Sequence, residues 1–280
     1  MRSIRQPGPP PTARAVVVPA LLHPVEFMLP PGALLLEALR DALAAQGFRS
    51  AALSIEGGGF GPFGYVMPAL SPDAACAAWY SGTFRPPGTT RLERGAVTFG
   101  SRDGAPFFHT HAIWTEADGR RCAGHILPEE AIIAVPIRVS GVALSGAEFA
   151  VADDPETGFR LFAPIPAPRI DGVGGHPGLA LRLRPNQDIT LALEALAREA
   201  GFSRAALRGG VGSIIGARYA AAPPVDPFAT EMFIRDGCIG ADSQLDITLV
   251  DYTGALSEGS LVRGDNPVLM TLEAVLDPEG

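Results

Sequence analysis

The stretch Phe107-Phe108-His109-Thr110-His111-Ala112-Ile113-Trp114-Thr115-Glu116-Ala117-Asp118-Gly119-Arg120-Arg121-Cys122-Ala123-Gly124-His125-Ile126 decides the reading of the fold. Two apolar, β-favouring runs flank Ala117-Asp118-Gly119, and Asp-Gly between such runs signals a β-hairpin. His109 and His111 are two residues apart, so on a strand both point to one face. The direction of His125 depends on the loop. A two-residue loop at Asp118-Gly119 sets His125 across from Ala112, on the other face. A three-residue loop, Ala117-Asp118-Gly119, sets it across from His111, on the same face. The longer loop ends in a left-handed residue, which suits Gly119, after a type I turn that suits Asp118. The second register is therefore preferred, and it gathers three imidazoles on one face.

Three neutral imidazoles converging from a rigid sheet suit zinc or a similar divalent ion. Three protein ligands leave a position open for water or substrate, the pattern of catalytic and not structural zinc. The competing reading is a solvated sheet face with ordinary polar residues. H-x-H alone is a weak signal; a third histidine placed opposite by turn chemistry strengthens it.

The 280 residues are 47% hydrophobic, enough for one large core or two modest ones. With 33 Gly and 27 Pro the chain is loop-rich but globular. All 22 basic residues are arginine, and the net charge of −8 repels phosphate backbones. Cys76, Cys122 and Cys238 are scattered and odd in number, which points to a reducing cytoplasm. No apolar run is long enough to span a membrane. Pro19 interrupts a short apolar run near the N-terminus and no cleavage-site pattern follows it, which argues against a signal peptide.

Residues 1–14 read as a Pro-rich disordered tail. Residues 15–22 and 25–29 read as strands. Gly32 to Gly47 reads as a helix on the stripe Leu35, Leu36, Leu39 and Leu43. Residues 51–55, 91–100, 106–114, 120–126 and 131–144 read as strands, and residues 72–79 as one or two helical turns. The Gly-rich loop 56–64 reads as a tight turn or bulge. Residues 164–178 read as a linker, with His176 as a solvated loop residue.

After that linker the pattern recurs. Asp188 to Ala200 reads as a helix. Gly201-Phe202-Ser203-Arg204-Ala205-Ala206-Leu207 echoes Gly47-Phe48-Arg49-Ser50-Ala51-Ala52-Leu53 at an offset of 154, and Tyr219 keeps that offset from Tyr65. Later the offset is 135, with Gly254 matching Gly119 and Gly259 matching Gly124, so the second copy is 19 residues shorter. The missing residues come most easily from the 66–90 region. Such self-similarity indicates an internal duplication. In the second copy Gln244, Asp246 and Ser260 stand where His109, His111 and His125 stand in the first. The hairpin thus recurs around Tyr252-Thr253-Gly254 without any imidazole, which favours a site in the first copy over a folding role.

Taken in order, these features resemble the plant and prokaryote conserved (PPC) domain family. They are the Pro-Pro-Gly turn, the helix, Gly47 to Ile55, His109-Thr110-His111, Asp118-Gly119 and Ala123-Gly124-His125-Ile126-Leu127. Ala123 stands where the family pattern has glycine. The resemblance covers residues 25–150 well and 179–277 as an eroded copy. It implies an α+β fold: two tandem PPC-like domains, 15–163 and 179–280, each a mostly antiparallel sheet packed with a helix. It also implies trimers, hence a homotrimer here, and a metal site on His109, His111 and His125. Land-plant members follow an AT-hook and bind DNA, but no Arg-Gly-Arg-Pro occurs in this chain.

Three functions are weighed. The first is a metal-dependent hydrolase or lyase, with Zn2+ or another divalent ion acting on a small anionic molecule. Its candidate catalytic residues are Glu56 and Arg138, with Glu116 as a weaker helper near the turn, read as solvated. Arg138 lies in an otherwise apolar strand, where a charge is paired or functional; Glu273 occupies the equivalent place in the second copy and is one possible partner. The second is DNA association, against which the acidic balance counts. The third is a sensor that binds a metal or metabolite without chemistry.

Overall fold

The computed structural model describes residues 2–170, 172 and 174–279. Asp171 and Val173 of the expected linker, Met1 of the expected tail and Gly280 lie outside the described residues.

The first half comprises β1 (Ala15–Leu29), α1 (Leu35–Ala44), β2 (Ala51–Glu56), β3 (Thr90–Arg102), β4 (Ala105–Thr115), β5 (Arg121–Ile126) and β6 (Ile137–Ser145). The hairpin β7 (Ala147–Asp153) and β8 (Arg160–Pro166) follows. The second half comprises β9 (His176–Leu183), α2 (Ile189–Glu199), β10 (Ala205–Ile214), β11 (Thr230–Ile239), β12 (Gln244–Asp251), β13 (Leu256–Ser260) and β14 (Val268–Pro278). Each helix follows its apolar stripe. Leu35, Leu39 and Leu43 of α1 are fully buried, and in α2 Ile189, Leu193 and Ala197 do the same work. Asp188 caps α2 by accepting from the Leu191 amide.

The pairing order is the same in both halves. In the first, β1 pairs with β6, β6 with β2, β2 with β3, β3 with β4 and β4 with β5, all antiparallel. In the second, β9 pairs with β14, β14 with β10, β10 with β11, β11 with β12 and β12 with β13, again antiparallel. This gives a mostly antiparallel sheet with two helices. β1 is continuous where two strands were expected: its first part, Ala15–Leu22, pairs with β9, and Leu21–Leu29 pairs with β6.

One face of each sheet half packs on its own helix. Phe108, Ala112, Trp114 and Leu53 belong to the core with α1, and Leu181, Leu207, Ile247 and Leu272 to the core with α2. The other faces meet each other: Ala96, Ile113 and Ala123 of the first half pack against Val211, Phe233 and Val250 of the second. Both faces of the hairpin strands are thus covered, which explains their nearly unbroken apolar runs.

Three local expectations are corrected. Residues 2–14 lie on the second half instead of hanging free: Gln6 donates to the Leu269 carbonyl at 2.7 Å, and Arg2 to that of Ile215 at 2.8 Å. Backbone donors and carbonyls left open at the sheet end give the tail its partners. Residues 72–79 form no helix but bends that lead to a short strand at Trp79–Tyr80. His176 is not in a loop; it opens β9, and its partly exposed ring places Nε2 2.6 Å from Asp277.

Candidate metal centre

The hairpin adopts the three-residue loop. The Glu116 amide donates to the Arg120 carbonyl and the Gly119 amide to that of Glu116, with Gly119 at φ +89°. Strand pairing then sets His125 directly across from His111. On β4, Phe108, Thr110, Ala112 and Trp114 turn toward α1, so His109, His111 and Ile113 turn toward the second half. Potential ligand atoms of His109, His111 and His125 all lie within 4.8 Å of one another.

Each ring is held differently. His111 is buried, and its Nδ1 donates to the Met232 carbonyl at 2.9 Å, which leaves a lone pair on Nε2. His109 places Nδ1 2.5 Å from the Glu273 carboxylate, and Glu273 in turn accepts from Thr271 at 2.9 Å. With Nδ1 as the donor, the lone pair of His109 also sits on Nε2. The two Nε2 atoms face each other at 3.1 Å. Two acceptors at that distance repel unless a cation or a proton lies between them. Tetrahedral zinc, at its usual bond lengths, sets its nitrogens about 3.3 Å apart. The third ring, His125, has a buried Nδ1 with no hydrogen-bond partner among the described residues. The donor set, the facing lone pairs and this orphaned nitrogen all fit a divalent ion. The carboxylate on His109 is the customary outer partner of a metal-bound imidazole.

Burial, with His109 and His125 alongside, holds His111 well below the ordinary imidazole range, although the Met232 carbonyl opposes the shift. Burial, then His109, does the same to His125. Both rings are neutral, as ligation requires. Glu231 of β11 is the nearest second carboxylate. One of its oxygens lies 3.9 Å from His111 Nε2 and the other has no hydrogen-bond partner among the described residues. Burial pushes its carboxyl well above the usual range.

Two spaces that share Tyr80 and His109 in their walls reach the cluster. A small cavity of about 50 Å³ lies among His109, His111, Tyr80, Glu231 and Met270. A wider pocket of about 480 Å³ opens beside His109 and His125.

The other expected site residues lie elsewhere. Arg138 and Glu56 face each other across β6 and β2, away from the histidines. Arg138 pairs with Glu26 at 2.7 Å, and Glu56 lies 3.4 Å from Arg94. The Arg138 side chain is 56% exposed, so its charge stays in water and its strand is apolar on one side only. Glu273, a possible partner for Arg138, bonds His109 instead. Glu116 is buried, not solvated: it accepts from Tyr65 at 3.1 Å and from Arg120 at 2.7 Å on the helix side of the hairpin. Glu231 and the role of Glu273 were not anticipated. Each is an acid inside an apolar strand run, and that was the available signal.

No family model matches the sequence, and no curated protein matches it. Solved structures resemble it over about half its length. A plant- and prokaryote-conserved (PPC) protein of Pyrococcus horikoshii aligns with 52% of this chain and 95% of its own, at 19% identity and a TM-score of 0.41. A metal-containing protein of Archaeoglobus fulgidus aligns with 51% of this chain and 94% of its own, at 20% identity and a TM-score of 0.40. A candidate DNA-binding protein of Ralstonia eutropha aligns with 49% of this chain and 89% of its own, at 16% identity and a TM-score of 0.36.

Proposed function

We propose that this chain binds one divalent metal ion, zinc by its donor set, on His109, His111 and His125. We propose further that the open side of that centre binds a small anionic molecule and acts on it as a hydrolase or lyase. The observation that carries this is the pair of Nε2 atoms facing each other at 3.1 Å, with both Nδ1 atoms committed to fixed acceptors. Three imidazoles would hold the ion, and a fourth position would face the cavities. A metal ion there would supply Lewis acidity, polarising an oxygen of the bound molecule or activating a water.

The chain's own residues do the rest. Glu273 fixes the tautomer and tilt of His109, and Thr271 fixes Glu273. Glu231, beside the cluster and short of partners, is placed to give a proton to the bound molecule or take one from it. Trp79 and Tyr80 line the space beside the cluster, and such apolar walls strengthen charge interactions there. These two residues come from the 66–90 region, from which the 19 residues missing in the second copy would most easily be lost.

Elemental analysis of purified chain tests the reading. The expected result is close to one divalent ion per chain, lost in His111→Ala with the fold retained by circular dichroism. Two ions per chain, or none after metal-replete expression, would refute the site as drawn.

A further inference from the structure

We infer that the wide pocket beside His109 and His125 takes a flat, unsaturated carboxylate, with its charged end on Arg102 and its ring among the aromatic side chains. The inference deepens the proposed function, since the metal centre would receive the far end of this ligand.

The pocket's wall is aromatic. Phe107 and Phe162 have centroids 6.1 Å apart, Trp79 and Phe159 5.3 Å, and Tyr80 and Phe159 5.9 Å. Tyr80 also reaches His125 at 5.4 Å, so the wall runs up to the cluster. Such a surface favours a planar apolar body, stacked or edge-on.

The rim carries four charges: Arg102, Arg160, Glu129 and Glu130. Two are committed. Arg160 holds Asp103 at 2.6 and 3.0 Å, and Glu130 holds Arg85 through two contacts of 2.6 Å. Arg102 and Glu129 have no ion-pair partner among the described residues. Of these, Arg102 belongs to the wall: its guanidinium lies 5.2 Å from the Phe107 ring centre. Arg102 and Glu129 are both exposed, but only Arg102 lies over one of the pocket's rings. A ligand ring seated against Phe107 therefore lies beside the Arg102 guanidinium, which favours an anionic end over a cationic one. A guanidinium is also the side chain best shaped to grip a carboxylate by two parallel hydrogen bonds.

Geometry sets the ligand's size. Phe107 and His109 are successive residues on one face of β4, so their Cα atoms are about 7 Å apart. A single ring with a short carboxylate arm covers that span.

Trp79 supplies the readout, because it is 47% exposed at the pocket while Trp114 is fully buried. Phenylacetate, phenylacetamide and phenethylammonium are titrated into the full chain and followed by tryptophan fluorescence. Phenylacetate is expected to bind saturably, and at least about 10-fold more tightly than the amide, as a charge-assisted contact implies. Arg102→Gln should erase that preference without changing metal content. Glu129→Gln should leave phenylacetate binding unchanged or tighten it. Equal binding of acid and amide, tighter binding of the ammonium, no saturable response, or an indifferent Arg102→Gln would each overturn the inference. The two readings fail separately. A metal-free chain that still binds phenylacetate through Arg102 sinks the metal proposal and leaves the pocket. A metal-loaded chain that ignores phenylacetate does the reverse.

Discussion

Glu273 sets the orientation of His109, and it comes from the other half of the chain. It is fully buried, and its charge is shared between a ring nitrogen and the Thr271 hydroxyl. Removing that charge while keeping the shape should loosen the ion and spare the sheet. Glu273→Gln is expected to weaken zinc affinity about 10- to 100-fold in a chelator competition, with unchanged circular dichroism. A second expectation concerns acid. In metal-free protein, burial holds His111 and His125 below the ordinary imidazole value of about 6.5, so the unfolded chain binds protons that the folded chain refuses. Their effect is absent above 6.5 and removes stability as the pH falls from there toward the lower folded values. Glu231 acts oppositely: its raised carboxyl favours the fold at low pH and loses that benefit as the pH rises past 4.5. His125→Ala removes one histidine contribution and keeps Glu231. Its urea midpoint should therefore fall less than wild type between about pH 6.5 and 5, an interval below the imidazole reference. Equal slopes would count against neutral buried rings. The three histidines were legible because strand alternation and loop chemistry are local. Glu231 was not, because which face the second half covers is decided far along the chain. Arg138 misled for a related reason: an arginine in an apolar strand is alarming only if both faces of that strand are buried, and this residue is half in water.

At the level of elements, the hairpin occurs twice with one geometry. Asp246 lies across from Ser260 as His111 lies across from His125, and Gly254 sits at φ +84° where Gly119 sits at +89°. Neither glycine would meet a steric obstacle on gaining a methyl group except for its own backbone conformation. Gly119→Ala and Gly254→Ala should therefore each cost about 1–2 kcal/mol in urea unfolding, the usual cost of a left-handed non-glycine residue. A cost confined to Gly119 would mean that the two turns are not equivalent. Gly124 behaves differently. A Cβ there would come within 2.5 Å of the Val66 carbonyl oxygen, and Val66 pairs with His125. Gly124→Ala is expected to push Val66 and His125 apart, lowering metal affinity as well as melting temperature. The Asp-Gly and Thr-Gly loops were readable because turn types demand particular residues. The 66–90 segment was not: without periodicity or a cap its path over the cluster rests on the two-residue pairing of 68–69 with 79–80 and on long-range packing, as between Trp79 and Phe159.

On the scale of the whole molecule, the second half supplies the Met232 carbonyl, Glu231 and Glu273 around a cluster carried by the first. The three histidines and the groups that hold them thus all belong to one chain. Metal content should stay near one ion per chain in every size-exclusion fraction, whether the chain runs as the homotrimer that its resemblance implies or as a smaller species. Metal confined to one oligomeric fraction would mean that a neighbouring chain completes the site. The net charge of −8 sets a further expectation: at about 150 mM salt, duplex DNA should bind no more tightly than non-specific levels, on the order of 10⁻⁴–10⁻⁶ M. A sequence-dependent nanomolar complex would reverse it. Finally, β1 is a single strand whose first part extends the sheet through β9 and whose last part extends it through β6. A strand shared this way acts as a thermodynamic coupling rod, because melting either half strips the other of an edge. The chain should accordingly unfold cooperatively, with calorimetric and van't Hoff enthalpies equal for the full length. Two resolved heat-capacity peaks would show that the shared strand does not bind the halves into one folding unit.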